Sequence, residues 1–151
     1  MKDRTEKACR NFGKGYNCAQ SVVLAFSDIL PVDKSSLLKL SGSFGAGIGR
    51  MREVCGAVSG MAMVLGLLYG YEDPEAKNEK KEHYERVQEL CRAFEEKNRS
   101  LVCRDLLKLS KKHDDPTPEE RTKKYYSERP CERLVACAAE LLDEYIKTHP
   151  F

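Results

Sequence analysis

Apolar residues recur every three or four positions along most of this chain, and no segment alternates with period two, a pattern that predicts an all-α fold. Asn17 is placed to cap a helix with Ala19, Val22, Val23, Phe26, Ile29 and Leu30 on one face. Pro31 ends it, and Asp33 is placed to cap a short helix through Leu37, Leu38 and Leu40. Gly42 to Gly49 carries too much glycine for a helix interior and reads as a loop or loosened turn. A helix from about Cys55 to Tyr69 follows. Asp73-Pro74-Glu75, with proline at the first helical position, opens a long helix to about Arg99 whose stripe is Tyr84, Val87, Leu90, Cys91 and Phe94. A shorter helix carries Cys103, Leu106 and Leu107, and Thr117-Pro118-Glu119-Glu120 matches a capping box. The last helix shows Leu134, Val135, Ala138, Leu141, Leu142 and Tyr145 on one face. Together these predict a single all-helical domain over residues 1–151. It is expected to be a compact bundle of about six to eight helices, with a glycine-rich loop before the central buried helix.

Charge divides the chain unevenly. Sixteen of the first 73 residues are charged, against 34 of the remaining 78, and all ten glycines lie between Gly13 and Gly70. The first half suits close backbone packing, and the second reads as solvated helical surface with paired opposite charges. The formal net charge of +2 is too small to point to nucleic acid. Val54 to Tyr71 is an uncharged run of 18 residues, at the lower limit for a membrane span of about 17–25. Its four glycines and the polar remainder of the chain favour a buried helix of a bundle instead. Gly56-x-x-x-Gly60 and Gly66-x-x-x-Gly70 allow a neighbouring helix to approach closely, within the chain or across a homodimer.

Cysteine is where the chemistry lies. There are seven, and the start Met1 to Lys7 has no apolar stretch of the secretory kind, so the expected compartment is a reducing cytoplasm. Cys18 follows Asn17 at a helix start, Cys55 opens the Cys-Gly-Ala-Val-Ser-Gly run, Cys103 lies just after Ser100, and Cys131 follows Pro130. All four sit where unpaired backbone N–H groups and the positive end of a helix dipole favour a thiolate. Bundled helices can bring such starts to one place. Cys9, Cys91 and Cys137 fall mid-helix and read as core packing. Arg50 and Arg52 precede Cys55, which is therefore expected to be the most sensitive of the four. No Cys-x-x-Cys pair marks a metal site, although distant ligands can meet in a helical fold, so dithiol and metal centre both stand.

These residues carry a resemblance. Gly15-Tyr16-Asn17-Cys18-Ala19-Gln20-Ser21-Val22, the Gly42–Gly49 block, Cys55-Gly56-Ala57-Val58-Ser59-Gly60 and the Gly66-Leu67-Leu68-Tyr69-Gly70 ending match the first half of the pattern. Cys103-Arg104-Asp105-Leu106-Leu107 and Cys131 with Leu134-Val135 and Ala138-Ala139-Glu140-Leu141-Leu142 match the second half. The chain thus resembles the C_GCAxxG_C_C family of redox-active proteins from Phe12 to about Ile146. The resemblance implies redox use of Cys18, Cys55, Cys103 and Cys131. They would serve in thiol/disulfide exchange, or as ligands of an iron–sulfur cluster or another cysteine-bound metal, with Gly56 and Gly60 giving a cofactor close approach.

Other constellations are weaker. Gly45-x-Gly47-x-Gly49 lacks the dinucleotide spacing and a Walker lysine, but Arg50 and Arg52 beside it are candidates for holding an anion. The competing reading is a tight turn between packed helices. His83 reads as solvated on a charged helix, His113 as a turn residue and His149 as part of a frayed end, so no Cys–His pair is argued. The function read from the sequence is a redox protein working through four cysteines with an unidentified redox partner. The alternative is a helical binding or scaffold module whose cysteines are merely buried.

Overall fold

The computed structural model describes residues 3–110 and 114–151. Among them lie seven helices of six residues or more, two single helical turns and one 3-10 turn at Ser27–Ile29. The fold is all-α, and the only strand-like feature among the described residues is an isolated antiparallel bridge between Val54 and Val102. In chain order the helices are α1 Arg4–Gly13, α2 Cys18–Ala25, α3 Lys34–Gly42, the turn α4 Gly45–Ile48, α5 Gly56–Tyr69, α6 Lys77–Asn98, the turn α7 Cys103–Leu106, α8 Lys123–Glu128 and α9 Cys131–Thr148. No described helix is long and apolar enough to cross a membrane.

The core forms where α2, α5 and α9 meet, with α1 packed on α2 and α9, and α6 laid across α5 and α9. Phe12, Phe26, Met61, Leu65, Phe94, Val135 and Leu142 are fully buried there. Helix α5 approaches α2 backbone to backbone because it lacks side chains on that face. A Cβ at Gly60 would stand 2.9 Å from the Ala19 carbonyl oxygen, and one at Gly56 would stand 3.0 Å from the Cys18 Cβ. The Gly56/Gly60 spacing is therefore used inside the chain. Gly66 faces open space.

Local chemistry explains most boundaries. Asn17 and Gln20 form a reciprocal capping box on α2, and the Asp33 side chain accepts from the Ser36 N–H at the start of α3. The helix expected to continue to Leu30 breaks at Phe26 into the 3-10 turn. Asp73 does not cap α6. Its side chain accepts from the Glu75 N–H in a local turn, and the helix starts at Lys77. The Thr117 capping box starts no helix, because the Thr117 N–H that Glu120 would bond goes to Asp115 instead; Thr122 caps α8. His83 is buried rather than solvated, 8% exposed, with Nδ1 3.1 Å from the Arg86 guanidinium, while Tyr84 of the expected stripe is 52% exposed. Burial, then the Arg86 charge, holds the His83 pKa below its ordinary value. His113 lies outside the described residues.

The glycine-rich block is a left-handed turn. Ala46, Gly47, Ile48, Gly49 and Arg50 all have positive φ, as does Arg52. Each non-glycine residue in that conformation costs about 1–2 kcal/mol, so the surroundings must hold it in place. They do so through Arg52 N–H to the Ala46 carbonyl at 3.2 Å, Glu53 N–H to the Gly47 carbonyl at 3.0 Å, and the Arg50–Asp114 ion pair at 3.3 Å. A Cβ at Gly47 would meet the Glu53 nitrogen at 2.6 Å. A Cβ at Gly45 would collide with the Asn17 side chain.

Candidate functional site

Four helix starts supply the four cysteines. Cys18 is the first residue of α2, Cys103 of α7 and Cys131 of α9, and Cys55 is the residue before α5. The bridge at Val54 and Val102 joins two of them: the Cys55 N–H donates to the Leu101 carbonyl at 2.8 Å, and the Cys103 N–H to the Glu53 carbonyl at 2.6 Å. Side-chain alternation sends Val54 outward and turns Cys55 and Cys103 to the opposite face, where both are buried. On the other side, packing of α2 against α9 sets Cys18 beside Cys131.

All four line one cavity of about 270 Å3. Its walls include Asn17, Gly45 and Gly56, and its charged lining is Arg50, Arg52, Arg121 and Arg129 against Glu119. Gly56 lies in the wall, with its missing Cβ taken up by Cys18, and Gly60 lies one turn deeper against Ala19 and Val22, outside the cavity. Cys9, Cys91 and Cys137 do not line it, nor do His83 and His149. None of those three cysteines is fully buried; Cys91 and Cys137 pack at the edge of the core, and Asn98 Nδ2 donates to the Cys137 sulfur at 3.4 Å.

The thiols differ electrically. The neighbouring Cys18 thiol lowers the Cys131 pKa; Arg129, Arg52 and Arg121 add to that effect against the cost of burial. Cys18 is correspondingly held well above the ordinary thiol value, first by its Cys131 neighbour and then by burial. Burial also raises Cys103, offset in part by Arg52, whose Nη1 donates to the Cys103 sulfur at 3.6 Å. Cys55 is pushed up to about 12 by burial, and the amides of Ala57 and Val58 pull it down less than that. The arginine charge expected to favour the Cys55 thiolate is directed to other partners. Arg50 bonds to Asp114, and Arg52 reaches Cys103 and Asp114. Tyr125, in the wall beside Cys131, is pushed up to about 12, chiefly by burial.

A strap without helix, residues 114–122, crosses this side of the molecule. Asp114 pairs with Arg52 at 3.2 Å, Glu119 pairs with Arg129 at 2.6 Å, and Arg121 donates to the carbonyls of Phe12 and Tyr16 while lying 5.0 Å from the Tyr125 ring. Arg121, Tyr125 and Arg129 are functional candidates that the sequence reading passed over. In a half of the chain with 34 charges they have no distinguishing pattern, except that Arg129 stands two residues before Cys131.

As for ligand sets, no three His, Cys, Asp or Glu side chains among the described residues are grouped to hold a metal ion. The four sulfurs instead surround a space, and all seven cysteines are free thiols.

No curated protein and no solved structure gives a significant match to this chain. The sequence profile described as "Putative redox-active protein (C_GCAxxG_C_C)" matches residues 16–145, a span that takes in the left-handed turn, the bridge and all four cavity cysteines. By that match the chain belongs to the C_GCAxxG_C_C family.

Proposed function

We propose that the chain is a thiol–disulfide redox protein in which Cys131 is the attacking thiolate and Cys18 the resolving thiol. The observation that carries this reading is the placement of Cys18 beside Cys131 in the cavity, with Cys131, at the start of an 18-residue helix, the one of the four cavity thiols whose pKa is lowered. The Cys131 thiolate attacks one sulfur of an acceptor disulfide, R–S–S–R, forming Cys131–S–S–R and releasing R–S⁻. Cys18 then gives its proton to the second leaving thiolate and attacks the Cys131 sulfur. The protein dithiol is oxidised by two electrons and the acceptor disulfide is reduced by two. Cys55 and Cys103 face the same cavity as protonated thiols, since burial raises both. The cytoplasm, a reducing compartment, keeps seven free thiols in this form.

A second reading rests on the four sulfurs surrounding one cavity. No group of three close ligands for a single ion lies among the described residues, whereas Cys18, Cys55, Cys103 and Cys131 would together hold an iron–sulfur cluster, which would supply electron transfer. One preparation separates the readings. The protein is purified without oxygen, its visible spectrum and its iron and sulfide content are measured, and its thiols are titrated before and after exposure to a small-molecule disulfide. The dithiol reading expects no iron and a reversible loss of two thiols per chain. Stoichiometric iron and sulfide, with four thiols protected, would replace it by the cluster reading. Seven thiols unchanged by the disulfide and an absence of iron would leave the binding-module alternative.

A further inference from the structure

The cavity has more positive charge than a dithiol requires. Arg50, Arg52, Arg121 and Arg129 line it against Glu119 alone, and the N-terminal ends of α2, α5 and α9 open onto it. Arg52 is 3% exposed, and its Nε is buried without any hydrogen-bond partner among the described residues. A buried guanidinium left short of one acceptor is costly unless something supplies that charge. The site also already holds a carboxylate. Glu119, from the strap, accepts from Arg129 Nη2 at 2.6 and 2.7 Å within the cavity wall, and Asp114 from the same strap accepts from Arg52 at 3.2 Å.

From this we infer that the cavity binds small carboxylate-bearing molecules at Arg129, Arg52 and Arg121, beside the Cys131 sulfur. The substrate class is therefore an anionic low-molecular-weight disulfide. The substrate assignment rests on the thiol reading proposed above. The strap carboxylates occupy the arginines while the site is empty, and an incoming carboxylate replaces Glu119 on Arg129. The same arginines that favour the Cys131 thiolate offset its repulsion of a negative substrate, so nucleophile and anion are accommodated together. Attack then follows the balanced exchange given above, with the displaced anionic thiolate leaving the cavity.

Alkylation tests this with two reagents of like size, one anionic and one neutral. The reduced full chain is treated with iodoacetate or iodoacetamide, each displacing iodide at sulfur, and modification of Cys131 is followed by mass spectrometry. The ratio of the two rates is compared with that of the urea-unfolded chain. The folded protein is expected to favour iodoacetate by about tenfold or more relative to the unfolded chain, the worth of one charge-assisted hydrogen bond, with a rate that saturates in iodoacetate. Arg129→Gln should return the ratio toward the unfolded value, and Glu119→Gln should raise it, since the competitor is removed. Rapid reaction of Cys131 with iodoacetamide at the unfolded ratio would overturn the anion site and leave the thiol reading standing. A Cys131 inert to both reagents would overturn both.

Discussion

Cys131 and Cys55 share a residue type and a position at a helix start, yet their surroundings drive them apart. Cys131 has the Cys18 thiol beside it and the field of three arginines, whereas Cys55 sits in apolar packing that raises it to about 12. The alkylation rate of Cys131 should therefore rise with pH about a midpoint below the ordinary thiol value of about 8.5. Cys18→Ala and Arg129→Gln should each move that midpoint upward, by removing the neighbouring thiol and a positive charge respectively. A midpoint that neither variant moves would assign the shift to the helix terminus alone. Since the fold favours the ionised form, Cys131 contributes stability that is complete above the unfolded thiol value and disappears as pH falls through the folded one. The helix-start positions of the four cysteines were legible in the sequence because signals such as the Asn17 cap and the proline before Cys131 are local. Which cation reaches which sulfur was not: Arg52 is three residues from Cys55 in the chain but donates to Cys103, across the bridge between Val54 and Val102.

Periodicity located the helices at the scale of the element, and competing side chains moved their ends. Asp73 spends its carboxylate on the Glu75 amide, and Asp115 takes the Thr117 amide, so two good cap signals start no helix. The glycine block was legible as non-helical. Its left-handed course was not, because four of the residues with positive φ are Ala46, Ile48, Arg50 and Arg52, which favour other conformations when isolated. Two glycines of α5 give opposite predictions for one substitution. Gly60→Ala drives a Cβ to 2.9 Å from the Ala19 carbonyl oxygen and is expected to destabilise the protein by about 1–3 kcal/mol. Gly66→Ala enters open space within the same helix and is expected to stabilise it by about 0.5–1 kcal/mol. Urea denaturation of the two variants reads both values; equal effects would mean that α5 does not approach α2 as closely as the structure has it.

At the scale of the molecule, α2, α5 and α9 do two things at once: their sides build the core, and their N-terminal ends enclose the cavity. The glycines of α5 permit that convergence by letting α2 lie close, and the bridge to Val102 brings the α7 turn with Cys103 into the same wall. The strap adds Glu119 and Arg121, and α8 adds Tyr125, all from the charge-dense half of the sequence. The central claim is that Cys18 and Cys131 form the working dithiol. Disulfide mapping tests it most directly: the reduced protein is oxidised in a graded redox buffer, trapped with acid, digested, and its linked peptides are identified. The account predicts that the first disulfide to form joins Cys18 to Cys131, persists in Cys91→Ser, and is absent in Cys131→Ser. A first disulfide joining any other pair, or none formed at potentials that oxidise ordinary protein dithiols, would contradict it.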